Sequence, residues 1–300
     1  MYSQIASNKR NSVLLITVFI VLIIALGYIF DQIYGQGSYG GVVLAVLFSL
    51  GMTSVSYFAG DKIALATSGA KLMEHDANKY VYHLVENLCI TAGLPAPKIY
   101  LIEDASINAF ATGRKPELSS IAITRGAIDK LTNEELEGVI AHELSHVQNY
   151  DIRFMTLVAV MVGAIAIMSD IFMRTRIFGG RRSNDREGGG QLGLILLIVG
   201  IILAILSPLI AELIKLAISR RREYLADASG SLLTRYPEGL ASALEKIAME
   251  NQPLRTASKA TAHLFIASPF GSGKKFANLF STHPPIEERI KRLRDLLGQA

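Results

Sequence analysis

Four stretches of this chain are free of charged residues, and they constrain its fold more than any other feature. The first, between Asn11 and Phe30, is nearly continuous aliphatic sequence, SVLLITVFIVLIIALGYIF. The second lies between Asp31 and Asp61, the third from Phe154 to Ser169, and the fourth from Gly188 to Ala211. A helix needs about 20 apolar residues to cross the hydrocarbon core of a bilayer. The first, second and fourth runs meet that length outright, and the third does so only by including Asp170. With half of 300 residues hydrophobic and collected in runs, the pattern describes a multi-pass membrane protein rather than one large soluble core. The expected spans are 12–30, 38–60, 154–173 and 192–211.

Charge sets the expected orientation. Lys9 and Arg10 precede the first run and only Asp31 stands in the short loop after it, which places the N-terminus in the cytoplasm. That loop, DQIYGQGSYG, has no A-x-A pattern, so the run reads as a retained anchor and not a cleaved signal. Lys62 and Lys71 then follow the second run on the cytoplasmic side. The link IFGGRRSNDREGGGQ between the third and fourth runs holds several arginines. They favour the cytoplasm, whereas a spanning hairpin would put the link outside; both readings stand. The single cysteine, Cys89, forms no intrachain disulfide, in keeping with a reducing compartment. Net charge is only mildly positive, and no aromatic residues interleave with basic ones, so a nucleic-acid groove is excluded.

Between the second and third runs the periodicity predicts a mixed α+β unit. DANKYVYHLVENLCITAGLP reads as a helix capped by Asp76, with Tyr80, Leu84, Val85 and Leu88 on its inner face. Strands are expected at 98–102, 107–112 and 120–126. TNEELEGVIAHELSHVQNYDIRF opens with Thr132 and, three residues on, Glu135, a capping-box pattern. No proline interrupts it, so it is predicted to run unbroken into the third apolar run. Near the C-terminus, PIEERIKRLRDLL puts Ile286, Ile290, Leu293 and Leu297 on one stripe, with Pro284 and Pro285 in its first turn. Residues 251–281, small and polar, predict a mobile insertion.

The chemistry lies in the second of these helices. His142 and His146, four residues apart, project from one helical face and can share a metal ion, while Glu143 sits about 100° around, placed to touch a water and not to ligate. A catalytic zinc needs a third protein ligand and an open position. Glu223 in SRRREYLADASG is the candidate, and Asp227, four residues on, is placed to accept the spare ring N–H of a ligating histidine. Alone, Glu-x-x-x-Asp is an ordinary solvated pattern. His75, His83 and His263 read as polar residues without a metal role.

HELSH at 142–146 beside apolar runs, EYLAD at 223–227, INAFATG at 107–113 and STHPP at 281–285 together resemble the HtpX group of membrane zinc metalloproteases, relatives of the CAAX prenyl proteases. The resemblance covers essentially the whole chain. It implies one Zn2+ held by His142, His146 and Glu223, with Glu143 as the base. It places Asn108, Ala109 and Phe110 on an edge strand that receives substrate, and His283 with Arg289 beside the oxyanion. Three alternatives stay open: Asn108 could organise the ASIN turn, His283 could cap the helix after it, and Arg289 could pair with Glu287 or Glu288. The implied architecture is a mostly helical α+β protein. Residues 1–61 form the anchor, 62–153 and 219–300 a zincin-like cytoplasmic catalytic domain with a small sheet, and 154–218 a membrane hairpin. The implied partners are the lipid bilayer and membrane or unfolded protein substrates, in quality control at the cell membrane. Two rivals carry less. A scaffold with structural zinc would want a fourth ligand, and Cys89 is remote in sequence. A transporter built on Asp170 and Glu212 lacks repeat-related partners for them.

Overall fold

The computed structural model describes residues 2–34, 38–163, 220–250, 252–256, 258, 260–270 and 284–297. Two long helices come first, α1 (Tyr2–Tyr34) and α2 (Gly40–Thr67), each long and apolar enough to cross a membrane. They form a hairpin. Asp31 accepts the backbone N–H groups of Gly41 and Val42, both at 2.8 Å, and so caps the positive end of α2 with the one charge available there. Close approach follows from small residues: a Cβ on Gly27 would lie 2.6 Å from the Ala45 side chain. The outer faces present Val13, Leu14, Val21, Leu44, Leu47 and Phe58 uncovered, an apolar surface suited to lipid. The remaining expected spans, beyond residue 163, lie outside the described residues, as do the arginine-rich link, Asp170, Glu212 and His283.

A four-stranded mixed sheet of order β1-β2-β4-β3 follows among the described residues: β1 (Lys71–Leu72), β2 (Lys98–Ile102), β3 (Ala109–Gly113) and β4 (Ser119–Thr124). β2 and β4 run parallel, and the outer pairs are antiparallel. Ile99, Phe110, Ile121 and Ile123 are fully covered. Helix α3 (Lys79–Ala92) departs from expectation at its start. Asn78 caps it, accepting from Val81 N at 3.1 Å, while Asp76 sits in a preceding single turn. The register shifts accordingly: Val81, Val85, Leu88 and Cys89 face inward, and Tyr80 is exposed.

After the short α4 (Arg125–Lys130) comes α5 (Asn133–Gln148), opened by the capping box, with both reciprocal Thr132–Glu135 bonds present. Every residue from Gly138 to Val147 is buried, so α5 is the central helix of the unit. Behind it pack α7 (Arg220–Thr234), α8 (Pro237–Glu250) and α9 (Ile286–Leu297). Gly230 and Gly138 permit this closeness: a Cβ on either would stand within 3 Å of backbone in the neighbouring helix.

Helix α5 does not run unbroken into the third apolar run. It ends at Gln148, Tyr150 takes a left-handed φ of 60°, and a new helix, α6, covers 151–163. No glycine or proline announces the break; a non-glycine residue at positive φ is uncommon and held by its surroundings. Here the Tyr150 ring lies under the Lys9 ammonium (4.4 Å) and near the Arg153 guanidinium. α6 packs into the helical hairpin, with Phe154, Leu157, Val158 and Met161 against Leu15, Phe19 and Ile23. Residues 261–267 also differ from the expected mobile insertion. Ala262 to Ala267 are buried, and Phe265 forms an antiparallel bridge to Phe110.

Candidate metal centre

His142 and His146 stand one turn apart on α5, both essentially closed to solvent. Each ring is held from behind by a carboxylate: His142 Nδ1 lies 2.9 Å from Asp227 Oδ1, and His146 Nδ1 lies 3.1 Å from Asp151 Oδ2. An Nδ1–H donated to a carboxylate leaves the lone pair on Nε2. The two Nε2 atoms face each other at 3.2 Å, and Glu223, from the first turn of α7, places its carboxylate oxygens 3.6 Å from His146 Nε2 and 4.0 Å from His142 Nε2. Two lone pairs and a carboxylate aimed at one point repel one another unless a cation lies among them. Ligands about 2.0–2.2 Å from a tetrahedral zinc are separated by roughly 3.4 Å. The donor set therefore fits a zinc ion in chemistry and in spacing. Glu143 is also buried, and among the described residues its Oε1 has no hydrogen-bond partner, as befits an atom that meets a bound molecule.

The electrostatics point the same way. Burial alone would lower His146, but its hydrogen bond to Asp151 and the charges of Glu223, Asp151 and Glu143 raise it to about 9. Burial lowers His142, with Arg289 and His146 adding to the effect against Asp227. Burial pushes the Glu143 carboxyl up to about 8; Glu223 adds to this, while His146, the Ala111 backbone amide and Arg289 oppose it. The pocket thus favours positive charge beside His146, where Asp151, Glu223 and Glu143 converge, and disfavours it on His142.

Arg289 is no surface partner of Glu287 or Glu288. It is among the largest fully buried side chains. Its Nε and Nη2 donate to the two oxygens of Asp227 at 2.9 and 2.7 Å, and Nη1 donates to the Ile266 carbonyl at 2.9 Å. This bidentate pair keeps Asp227 below its ordinary range although burial raises it. With three of its five N–H donors committed, Arg289 stands behind His142 and Glu223, from which Nη1 is 3.8 Å away.

The expected substrate edge is partly occupied. Asn108 Nδ2 donates to the Ala267 carbonyl at 3.1 Å, and Ala109 O accepts from Ile266 N at 2.9 Å. Phe110 is buried edge-to-face against Phe265, ring centroids 4.9 Å apart. The backbone edge that these three residues would offer is thus already paired with residues 265–267. Asn108 also holds the loop before β3 through the Thr124 hydroxyl.

Sequence reasoning missed Asp151. Five residues beyond His146, it would lie about 140° around a straight helix; only the break at Tyr150 turns it back onto the ring. His75, His83 and Glu86 form another grouping of possible ligand atoms, but both histidines are solvent-exposed, His75 against Asp76 and Tyr82 and His83 beside the half-buried Glu86. His263 is buried and bonded to the Met155 carbonyl, away from the centre.

Comparison with known proteins gives the family. The model of peptidase family M48 matches residues 75–297. Proteins described as "Protease HtpX homolog" are similar over nearly their full length. That of Caldanaerobacter subterraneus subsp. tengcongensis is 45% identical, covering 99% of this chain and 98% of the relative. That of Tropheryma whipplei is 42% identical, covering 100% and 99%. The crystal structure of S. mikatae Ste24p aligns with 98% of this chain and 66% of its own, at 18% identity and a TM-score of 0.48.

Proposed function

The chain belongs to peptidase family M48 and is a membrane-bound metalloprotease; from that premise we propose a zinc endopeptidase that cuts membrane or unfolded proteins beside the cytoplasmic surface of the cell membrane. The observation that carries this reading is the convergence of His142 Nε2, His146 Nε2 and Glu223 on one point, with Glu143 Oε1, unpartnered among the described residues, alongside. We assign one zinc per chain to the three ligands. When bound, the ion would polarise the scissile carbonyl and lower the pKa of a coordinated water. Glu143 takes a proton from the attacking water at Oε1 and later delivers it to the departing amide nitrogen. Its burial favours this exchange, because the neutral acid is tolerated there. Asp227 and Asp151 keep the histidine protons on Nδ1, and Arg289 balances the Asp227 charge and orients it. On this reading Arg289 positions a ligand and does not itself stabilise an oxyanion; His283 keeps that expected role.

The substrate would pair as an extended strand along β3, so Phe265 and Ile266 must yield on binding. Orientation follows from both ends of the helical hairpin. Asn8, near the start of α1, contacts the turn after the metal helix, and Ala64 and Leu65, near the end of α2, pack on Phe110. Both ends thus meet the catalytic unit on one side, which the charge pattern makes the cytoplasmic side. Quality control of membrane proteins is the role we attach to the site.

The test is metal dependence in detergent-purified protein. Proteolysis of an unfolded substrate should stop on chelation and return with zinc, and Glu223→Ala should contain no stoichiometric zinc by elemental analysis. Undiminished cleavage by the chelated protein, or normal zinc in that variant, would overturn the assignment.

A further inference from the structure

The first helix reaches into the metal centre through one buried side chain. Asn8 lies three residues before the apolar run begins and is almost fully covered. Its Nδ2 donates to the Asn149 carbonyl at 2.9 Å and to Asp151 Oδ1 at 2.6 Å. Asp151 presents its other oxygen to His146 Nδ1 at 3.1 Å. On the far side of the amide, Oδ1 of Asn8 accepts from Arg222 Nη1 at 3.4 Å, and Arg222 immediately precedes Glu223. These partners fix the amide orientation. Flipped, it would set its oxygen against a carbonyl and a carboxylate, and its NH2 against a guanidinium.

We infer that Asn8 is a positioning residue for the metal ligand His146, acting through Asp151, so that the first membrane helix is part of the metal centre as well as an anchor. This rests on the zinc-site reading above. The physical reason is the break after α5. Asp151 meets the His146 ring only because residues 149–151 turn back, and that turn carries a non-glycine residue at positive φ. Such a turn persists only where its surroundings hold it. Both N–H groups of Asn8 are spent on this turn, and Lys9, its neighbour, lies over the Tyr150 ring within it. An alanine at position 8 would leave the Asn149 carbonyl short of a donor and Asp151 Oδ1 with the Arg222 guanidinium, 3.8 Å away, as its remaining neighbour, free to draw Asp151 away from the ring.

Zinc affinity of the full-length, detergent-solubilised chain tests this by chelator competition, with the cobalt(II) absorption spectrum as a second readout of ligand geometry. Asn8→Ala should weaken zinc binding about 10-fold, the lower end for loss of a group supporting a ligand, and alter the cobalt spectrum. Asn8→Ser, which retains a donor, should be intermediate and serves if the alanine variant does not fold. Leu14→Ala, exposed on the same helix, should match the unaltered chain. In an Asp151→Asn background, Asn8→Ala should add less than about twofold, because the route it acts through is already cut. Affinity and spectrum unchanged in both position-8 variants, or equal losses with and without Asp151, would overturn the inference while leaving the zinc site standing. Failure of the unaltered chain to bind zinc would overturn both.

Discussion

Replacing Arg289 by methionine, unbranched like the arginine stem but uncharged, should destabilise the protein severely. Methionine replaces the aliphatic stem but leaves Asp227 buried with His142 as its remaining close partner. Three donated bonds disappear, two to Asp227 and one to the Ile266 carbonyl. Breaking a buried pair from one side costs roughly 3–5 kcal/mol, because the surviving charge is uncompensated. At about 2–4 °C per kcal/mol for a domain of this size, the apparent melting temperature should fall by about 6–20 °C. Arg289→Lys, which keeps the charge but cannot bridge both oxygens, should fall between. Thermal unfolding in detergent at a fixed scan rate measures this. A loss of only about 1–2 °C, of the size exposed ion pairs give, would refute the reasoning.

Gly230→Ala should disturb the centre from the opposite side. The new Cβ would stand 2.9 Å from His142 N and 3.1 Å from the Ala141 carbonyl carbon, an overpacking that typically costs about 1–3 kcal/mol, and both melting temperature and zinc affinity should drop. Cys89 should be inert to thiol reagents at pH 8 in the folded chain and react on unfolding, since it is buried and burial pushes its thiol to about 11, with Glu86 adding to the effect; ready labelling of the native protein would contradict this. In a Cys89→Ser background, single cysteines replacing Arg10 and Asp129 should both be labelled by an impermeant reagent only from the cytoplasmic face. Labelling from opposite faces would refute the shared side.

Much of the centre was legible in the sequence because its parts are local. The spacing of His142 and His146, the capping box at Thr132 and the short strand segments of β2 and β4 each rest on short-range geometry. Glu223 and Asp227 were legible as a pair because one helical turn links them. What escaped depends on tertiary placement. Asp151 serves His146 only through a backbone turn that no glycine marks, and Asn8 lies more than a hundred residues from its partners. Arg289 sits in a helix rich in charge, so its sequence neighbours suggest a surface pair where the fold has buried it. Composition likewise misled for 261–267: small residues are compatible with mobility, yet here they let the segment lie close against β3. The misplaced cap of α3 has a simpler cause, since Asp76 and Asn78 are both good capping residues and only the backbone chooses between them.

The central claim is that Glu143 moves protons and does not bind the metal, and Glu143→Gln tests it most directly. Glutamine has the same shape in a buried position but cannot accept and return a proton. Elemental analysis alongside cleavage of an unfolded substrate should find zinc still stoichiometric and activity reduced by about 10²–10⁴-fold, the usual contribution of a general acid–base group. Cleavage close to that of the unaltered protein, or loss of the metal, would contradict the account.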